Sequence, residues 1–368
     1  MRKNKLVIIQ PALGRYRKGF IDSLVIKNNN EFDISIICSQ VDNAGVESMN
    51  SIHPSIEYKI VKMTSIFKVF FWQHLFFLVL KMKFSKGDSL IINGNPRFLS
   101  SIAISLFLKL KGIEIYWWGH AWSSTSSKVG SYIRFKLMNL FNVILYTDEE
   151  VELSKGLIKS DVVGLNNGLD IQSIRKGIPF DKSKFEFKIF KIAFIGRYTK
   201  KSNFGLLVQA LSQIPPNELK YIQLNIIGNI SEQEILKLYP ESKNININYH
   251  GEIWDEHEIS KLLNDNHVFI YPGSVGLSII HAFALGLAAI VHNERAKHMP
   301  EIGVFEDGVN GISFKNGCSK SLSKKILYLK HNINELKQYS DNAYSKVTTT
   351  YNTDDMANRF IAFIKKNR

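Results

Sequence analysis

Short apolar runs recur along the chain at residues 5–9, 34–38, 89–92, 114–117 and 143–146, and each is followed by a polar turn and a stretch with helical spacing. The rhythm resumes at 191–195 and 224–227, and again at Phe269, where a strand runs into Pro272-Gly273-Ser274, a helix opens near Gly276, a further strand follows, and a loop closes on Asp307-Gly308. Strand alternating with helix predicts α/β units, each a parallel sheet covered by helices on both faces. The tail from Asn332 reads as helices, with apolar residues at helical spacing over 356–364.

A chain of 368 residues with 45% hydrophobic content has material for two cores. Asn166-Asn167-Gly168-Leu169-Asp170 reads as a turn, and the polar stretch 174–188, with its Gly and Pro, as a linker. The predicted domains are therefore 1–180 and 188–350, followed by a last helix at 351–368.

Cysteine and charge narrow the setting. Cys38 and Cys318 alone make no disulfide framework, which predicts a reducing compartment. The apolar run 6–9 is too short for the core of an export signal, so a cytoplasmic protein is expected. Of the net charge of +14, residues 1–185 carry +10 and the remainder +4, which suits an anionic partner of the first half. No zinc-finger spacing or ribonucleoprotein motif supports nucleic acid. The stretch 59–86 favours lipid: Lys59, Lys62, Lys68, Lys81, Lys83 and Lys86 flank a Phe- and Trp-rich centre. Its uncharged part, residues 69–80, is about 12 long where a span needs about 20. A helix lying in the headgroup region on the inner face of a membrane is expected, or else a core helix with outward lysines.

Candidate chemistry gathers in the loops beyond the strands, where open parallel sheets place ligands. Gly14, with Arg15, Arg17 and Lys18, follows the first strand; Asn95 follows the third; His120 follows the fourth, beside Trp117, Trp118 and Trp122. The tryptophans suit either a core or a sugar-stacking wall. His120 suits either a ligand contact or packing. Asp148, Glu149 and Glu150 read as the acidic first turn of a helix, capped by Thr147 or Asp148. In the second half the loops hold Gly196-Arg197 with Lys200-Lys201, then Gly228-Asn229, His250-Gly251 and the turn Gly273-Ser274-Val275-Gly276. Glycines there let a ligand approach the main chain, and the unpaired N–H groups of a helix start suit a phosphate.

The order Gly276-Leu277, Ala282, Gly286-Leu287, Pro300-Glu301-Ile302 and Asp307-Gly308-Val309-Asn310-Gly311 resembles the donor-binding segment of the retaining glycosyltransferases of family four. Gly196-Arg197 and Asn167-Gly168-Leu169-Asp170 also fit that pattern. The resemblance implies the GT-B architecture, two Rossmann-like doubly wound domains facing across a cleft, with the last helix returning to the first domain. It further implies donor contacts from Gly14, Gly196, Gly228, Gly251, Gly273, Ser274, Val275, Gly276, Leu277, His281 and Glu301. Arg197 and Lys201 would hold the diphosphate, His120 the donor sugar, and Arg15, Arg17 and Asn95 an acceptor. The chain departs from the family at five positions. Its two glutamates fall on Gly273 and His281, its paired glycines on Lys297 and His298, and its lysine falls on Ser202, one place after Lys201.

The expected function is transfer of a sugar from a UDP-, GDP- or dTDP-linked donor to a lipid-linked or polysaccharide acceptor, with retention, in surface-glycan synthesis. No Asp-x-Asp and no His/Cys ligand spacing occurs, so no metal or other cofactor is expected. The alternatives on the same fold are a nucleotide-sugar epimerase and a non-catalytic subunit that lost the glutamate pair.

Overall fold

The computed structural model describes residues 2–42, 46–122, 128–179 and 185–368; residues 180–184 of the expected linker lie outside these. The chain forms two compact units, Met1–Leu169 with Thr353–Arg368, and Asp170–Asn352. The division falls inside the Asn-Gly-Leu-Asp turn, where Asp170 caps the next helix by accepting from the Ser173 N–H.

The first unit contains β1 (Asn4–Ile9), α1 (Lys18–Asn28), β2 (Phe32–Ser39), β3 (Glu57–Val61), β4 (Met63–Ile66), β5 (Phe70–Gln73), α2 (Phe76–Lys81), β6 (Ser89–Asn93), α3 (Leu99–Leu110), β7 (Glu114–Trp118), α4 (Lys128–Met138), β8 (Asn142–Leu145), α5 (Asp148–Leu153) and β9 (Val162–Gly164). Seven of the strands form one parallel sheet in the order β3-β2-β1-β6-β7-β8-β9. Successive side chains of a strand point to opposite faces, and both faces here are covered. Trp117 lies in the core layer of Ile92, Met138 and Phe141, while Trp118 lies in the opposite layer with Phe20. The two tryptophans are therefore core residues and form no sugar-stacking wall.

The second unit contains α6 (Ile171–Ile174), β10 (Phe190–Ile195), α7 (Phe204–Ser212), α8 (Pro216–Leu219), β11 (Ile222–Ile227), α9 (Glu232–Leu238), β12 (Asn246–Tyr249), α10 (Glu256–Asn264), β13 (Val268–Tyr271), α11 (Ser278–Ala284), β14 (Ala288–His292), β15 (Gly311–Phe314), α12 (Ser319–His331) and α13 (Ile333–Thr349). Its six strands are all parallel, in the order β12-β11-β10-β13-β14-β15. The final helix, α14 (Thr353–Lys366), belongs to the first unit. Its apolar stripe of Met356, Phe360, Phe363 and Ile364 joins the core layer of Phe20 and Trp118, and Phe360 meets Phe20 edge-on at 5.7 Å.

The expectation of one helix over 59–86 is corrected. The stretch divides into β3, an antiparallel β4–β5 hairpin separate from the main sheet, and the short α2. Phe71 and Gln73 alternate inward along β5, and Phe71 stacks on Phe98 at 5.2 Å. An apolar aromatic run of this kind satisfies a two-residue period as well as a helical one, and packing on α3 selects the strand. Among the described residues no helix is long and apolar enough to cross a membrane.

Candidate functional site

In the second unit the loops after β10 and β13 are joined through main chain. Ser274 N–H donates to Lys201 O at 2.9 Å, and a Cβ on Gly273 would lie 2.0 Å from the same oxygen. The residue at 273 must therefore be glycine, and a family-type glutamate there has no room. Gly228 is equally constrained, because a Cβ there would lie 2.2 Å from Gly196 O. Its N–H is taken by Gly251 O at 2.9 Å, which ties together the carboxyl ends of β10, β11 and β12. Gly196 (φ +151°) and Gly251 (φ +70°) adopt backbone that disfavours side chains.

The turn after β13 divides its donors. Ser274 N–H goes to Lys201 O, and Val275 N–H goes to His298 Nδ1 at 3.2 Å. Among the described residues the N–H groups of Gly276, Leu277 and Ser278 have no acceptor. Three successive free N–H groups at a helix start form a concavity for an anion. Arg197 and Lys201 are both exposed and pair with no described carboxylate. Arg197 is close enough to Tyr271, at the end of β13, for its charge to favour the phenolate, although burial, the larger effect, pushes the Tyr271 hydroxyl up. The cations and the free N–H groups thus occupy neighbouring loops. Ser202 is fully buried, with its hydroxyl donating to Thr199 O at 2.7 Å, so the side chain at that position cannot reach an anion and Lys201 is the available cation. Glu301 is buried beside the turn, with Oε2 3.8 Å from where a Cβ on Gly276 would stand.

His281 is corrected as a free ligand for ribose hydroxyls. It is buried, and its Nε2 faces α10, 3.0 Å from Glu256 Oε1 and 3.5 Å from the Ser260 hydroxyl. His298, which stands where the family carries glycine, was missed as a site residue. Its Nε2 bonds His292 O at 2.9 Å, and its ring stacks on His292 at 3.7 Å. Burial pushes the His298 imidazole down to about 4, assisted by His292 and Arg295, against the bond to His292 O. Neutral His298 keeps Nδ1 as the acceptor that holds Val275 N–H, which leaves the next three donors to a ligand.

In the first unit the loops after β6, β7 and β8 converge on His120. The imidazole is partly exposed, packs on Tyr146 with ring centres 4.4 Å apart, and has Nδ1 3.6 Å from Glu150 Oε1. Glu150 accepts from Ala121 N–H and Tyr146 N–H, both at 3.1 Å, while Thr147 Oγ1 caps α5 by accepting from Glu150 N–H. Arg134, buried on α4, donates through Nη1 to His120 O at 3.1 Å and Gly94 O at 3.2 Å. Burial pushes the Arg134 guanidinium down and Arg97 adds to this, while Glu150 opposes it. A buried acid and a buried base therefore fix the main chain on either side of the His120 carbonyl. Neither was read as a site residue from sequence. The capping pattern placed Glu150 in a helix first turn, and nothing in the pattern shows that its carboxylate turns back toward the preceding strands.

Of the other residues assigned to this unit, Arg15 is exposed and Gly14 begins a short 3₁₀ turn. Asn95 Oδ1 accepts from Arg97 N–H at 3.1 Å, which leaves its amide N–H groups to a ligand. Arg17 is corrected as an acceptor contact. Its guanidinium is only 9% exposed, donates to Asn167 Oδ1 and lies against Tyr16, Trp118 and Tyr146. Among the described residues no group of three or more His, Cys, Asp or Glu is placed to hold a metal.

Residues 178–346 match the model of the family described as glycosyl transferases group 1. No curated protein matches the chain. Solved structures resemble it over nearly its whole length. A glycosyltransferase from Rickettsia africae is 15% identical with a TM-score of 0.72, covering 100% of this chain and 99% of that one. HepE from Anabaena in complex with UDP and glucose is 13% identical with a TM-score of 0.65, covering 99% and 100%. The lipopolysaccharide outer core galactosyltransferase WaaB is 14% identical with a TM-score of 0.69, covering 99% and 100%. With two Rossmann-like units of parallel sheet and a group 1 match over most of the second, the chain has the GT-B fold and is a glycosyltransferase, an enzyme that transfers sugars.

Proposed function

We propose that the protein transfers a hexose, with retention and without a metal, from a nucleoside diphosphate to a lipid-linked or polysaccharide acceptor in surface-glycan synthesis. The observation that carries the donor assignment is the set of free N–H groups on Gly276, Leu277 and Ser278 beside the unpaired cations Arg197 and Lys201. A departing nucleoside diphosphate gains charge as its bond to the sugar breaks. Fixed donors and cations aimed at it stabilise that charge more in the transition state than before it. HepE is solved with UDP and with UDP-glucose, and WaaB acts in the lipopolysaccharide outer core, which supports a nucleotide-sugar donor and a glycan acceptor here.

In the proposed step the bond from the anomeric carbon to the phosphate oxygen breaks while an acceptor hydroxyl oxygen bonds the same face of that carbon. The acceptor proton passes to the departing phosphate oxygen. Arg197 and Lys201 bind the diphosphate, and His120, held by Glu150 and Arg134, bonds a hydroxyl of the sugar. Arg15 and Asn95 are the acceptor contacts that remain once Arg17 is assigned to the core. The test is incubation with UDP-, GDP- and dTDP-linked sugars and a lipid-linked glycan in the presence of a chelator, followed by NMR of the product. Transfer with the donor's anomeric configuration kept is expected. Inversion, or transfer abolished by the chelator, contradicts the proposal.

A further inference from the structure

The β4–β5 hairpin joins its strands through Phe67, Lys68 and Val69, the first two in left-handed backbone at φ +51° and +54°, with Val69 N–H donating to Ile66 O at 3.2 Å. A turn with two successive left-handed residues favours Asn-Gly at those positions, because a side-chain-bearing residue with positive φ is strained. Phe-Lys is thus a poor choice for folding the turn. Phe67 does not recover the cost by packing, since it is 89% exposed at the tip. Strain held at an exposed aromatic tip points to a use outside the fold.

The surroundings identify that use. Phe70 is 39% exposed on the hairpin, Val69 beside the tip is 46% exposed, and Phe77 on α2 is 78% exposed. Ile66 pairs with Phe70 and Thr64 with Trp72, on the face opposite the inward Phe71. The hairpin is held from beneath by Phe71 on Phe98, and by Gln73, which donates to Gln10 O at 2.9 Å. Lys62, Lys68, Lys81, Lys83 and Lys86 are all exposed, and the sequence has no Asp or Glu from residue 58 to 87. Exposed aromatic side chains in a stretch that carries exposed lysines and no carboxylate complement a surface that is apolar within and negative at its edge.

We propose that the hairpin tip inserts Phe67 into an anionic lipid surface, with the exposed lysines of the same stretch on the headgroups. The inference is independent of the sugar-transfer reading and replaces the expected interfacial helix with a strained hairpin. Burying one Phe side chain corresponds to roughly tenfold or more in affinity. Each lysine near an anionic surface contributes roughly fivefold.

The test is flotation of the full chain with vesicles of phosphatidylcholine alone and of phosphatidylcholine with an equal part of phosphatidylglycerol. The wild type is expected to float with the anionic vesicles only, less so as salt is raised. The double variant Phe67→Asn, Lys68→Gly suits the turn better, so its melting temperature should stay the same or rise while its flotation falls at least tenfold. Wild-type protein that ignores anionic vesicles, or binds both kinds equally, overturns the proposal. So does a double variant that folds and floats like wild type. If sedimentation without lipid shows a wild-type dimer that the double variant loses, the surface belongs to a second copy and the lipid assignment fails.

Discussion

Glu150 in the first unit and His298 in the second each do what the sequence does not announce. Glu150 accepts two main-chain N–H groups from the loops beside His120, and a carboxylate alone offers an acceptor on both sides. Glu150→Gln keeps one bond and sets an amide N–H₂ against the other donor. A loss of about 1–3 kcal/mol is expected, read by chemical denaturation. Turnover should fall while nucleotide affinity, which rests on the other unit, stays near wild type. His298 adds a pH dependence. Its folded value of about 4 lies below the ordinary histidine value, so above about 6.5 it is neutral in both states and has no effect on stability. As the pH drops from about 6.5 toward 4 the unfolded chain takes up the proton first, and stability is lost, by roughly 3 kcal/mol at most. A His298→Gln variant should show a shallower acid loss over that window in denaturation midpoints. Arg17 teaches a related lesson. Three neighbouring cations followed β1 in the sequence, and only burial against Trp118 and Tyr146 tells which of them turned inward.

The parallel strands were readable because strands buried on both faces are unbroken apolar runs, as in β1, β8 and β13, bounded by glycine-bearing turns. Gly228 and Gly273 read in the sequence as glycines that admit a ligand, whereas at each of them a Cβ would meet the main chain of a neighbouring loop, a crossing that no sequence pattern shows. The hairpin was not readable, because Phe70-Phe71-Trp72 offers apolar side chains at every position and periodicity cannot choose. α14 shows packing overriding chain order, since it completes the core of the unit in which the chain began. Phe360 is fully buried between Phe20 and Trp118, so Phe360→Ala should destabilise the first unit by about 3–5 kcal/mol, measured by denaturant unfolding.

Taken together, the two sheets place the candidate residues beyond the carboxyl ends of their strands, as open parallel sheets do. His120 follows β7, Arg197 follows β10 and the Gly273 turn follows β13. The two positions where the chain departs most from its look-alike family acquire physical reasons. Gly273 is pressed against Lys201 O, and His281 is engaged by Glu256. Neither removes the free N–H groups of the turn after β13 or the cations beside it, which together make the proposed phosphate turn. The most direct measurement is therefore calorimetric titration of the protein with UDP, GDP and dTDP, beside an Arg197→Ala variant. Saturable binding of one nucleotide is expected, weakened roughly 10- to 100-fold in the variant by loss of a charge-assisted bond. If no nucleotide binds at millimolar concentration, or the variant binds as tightly as wild type, the phosphate turn is not the donor site.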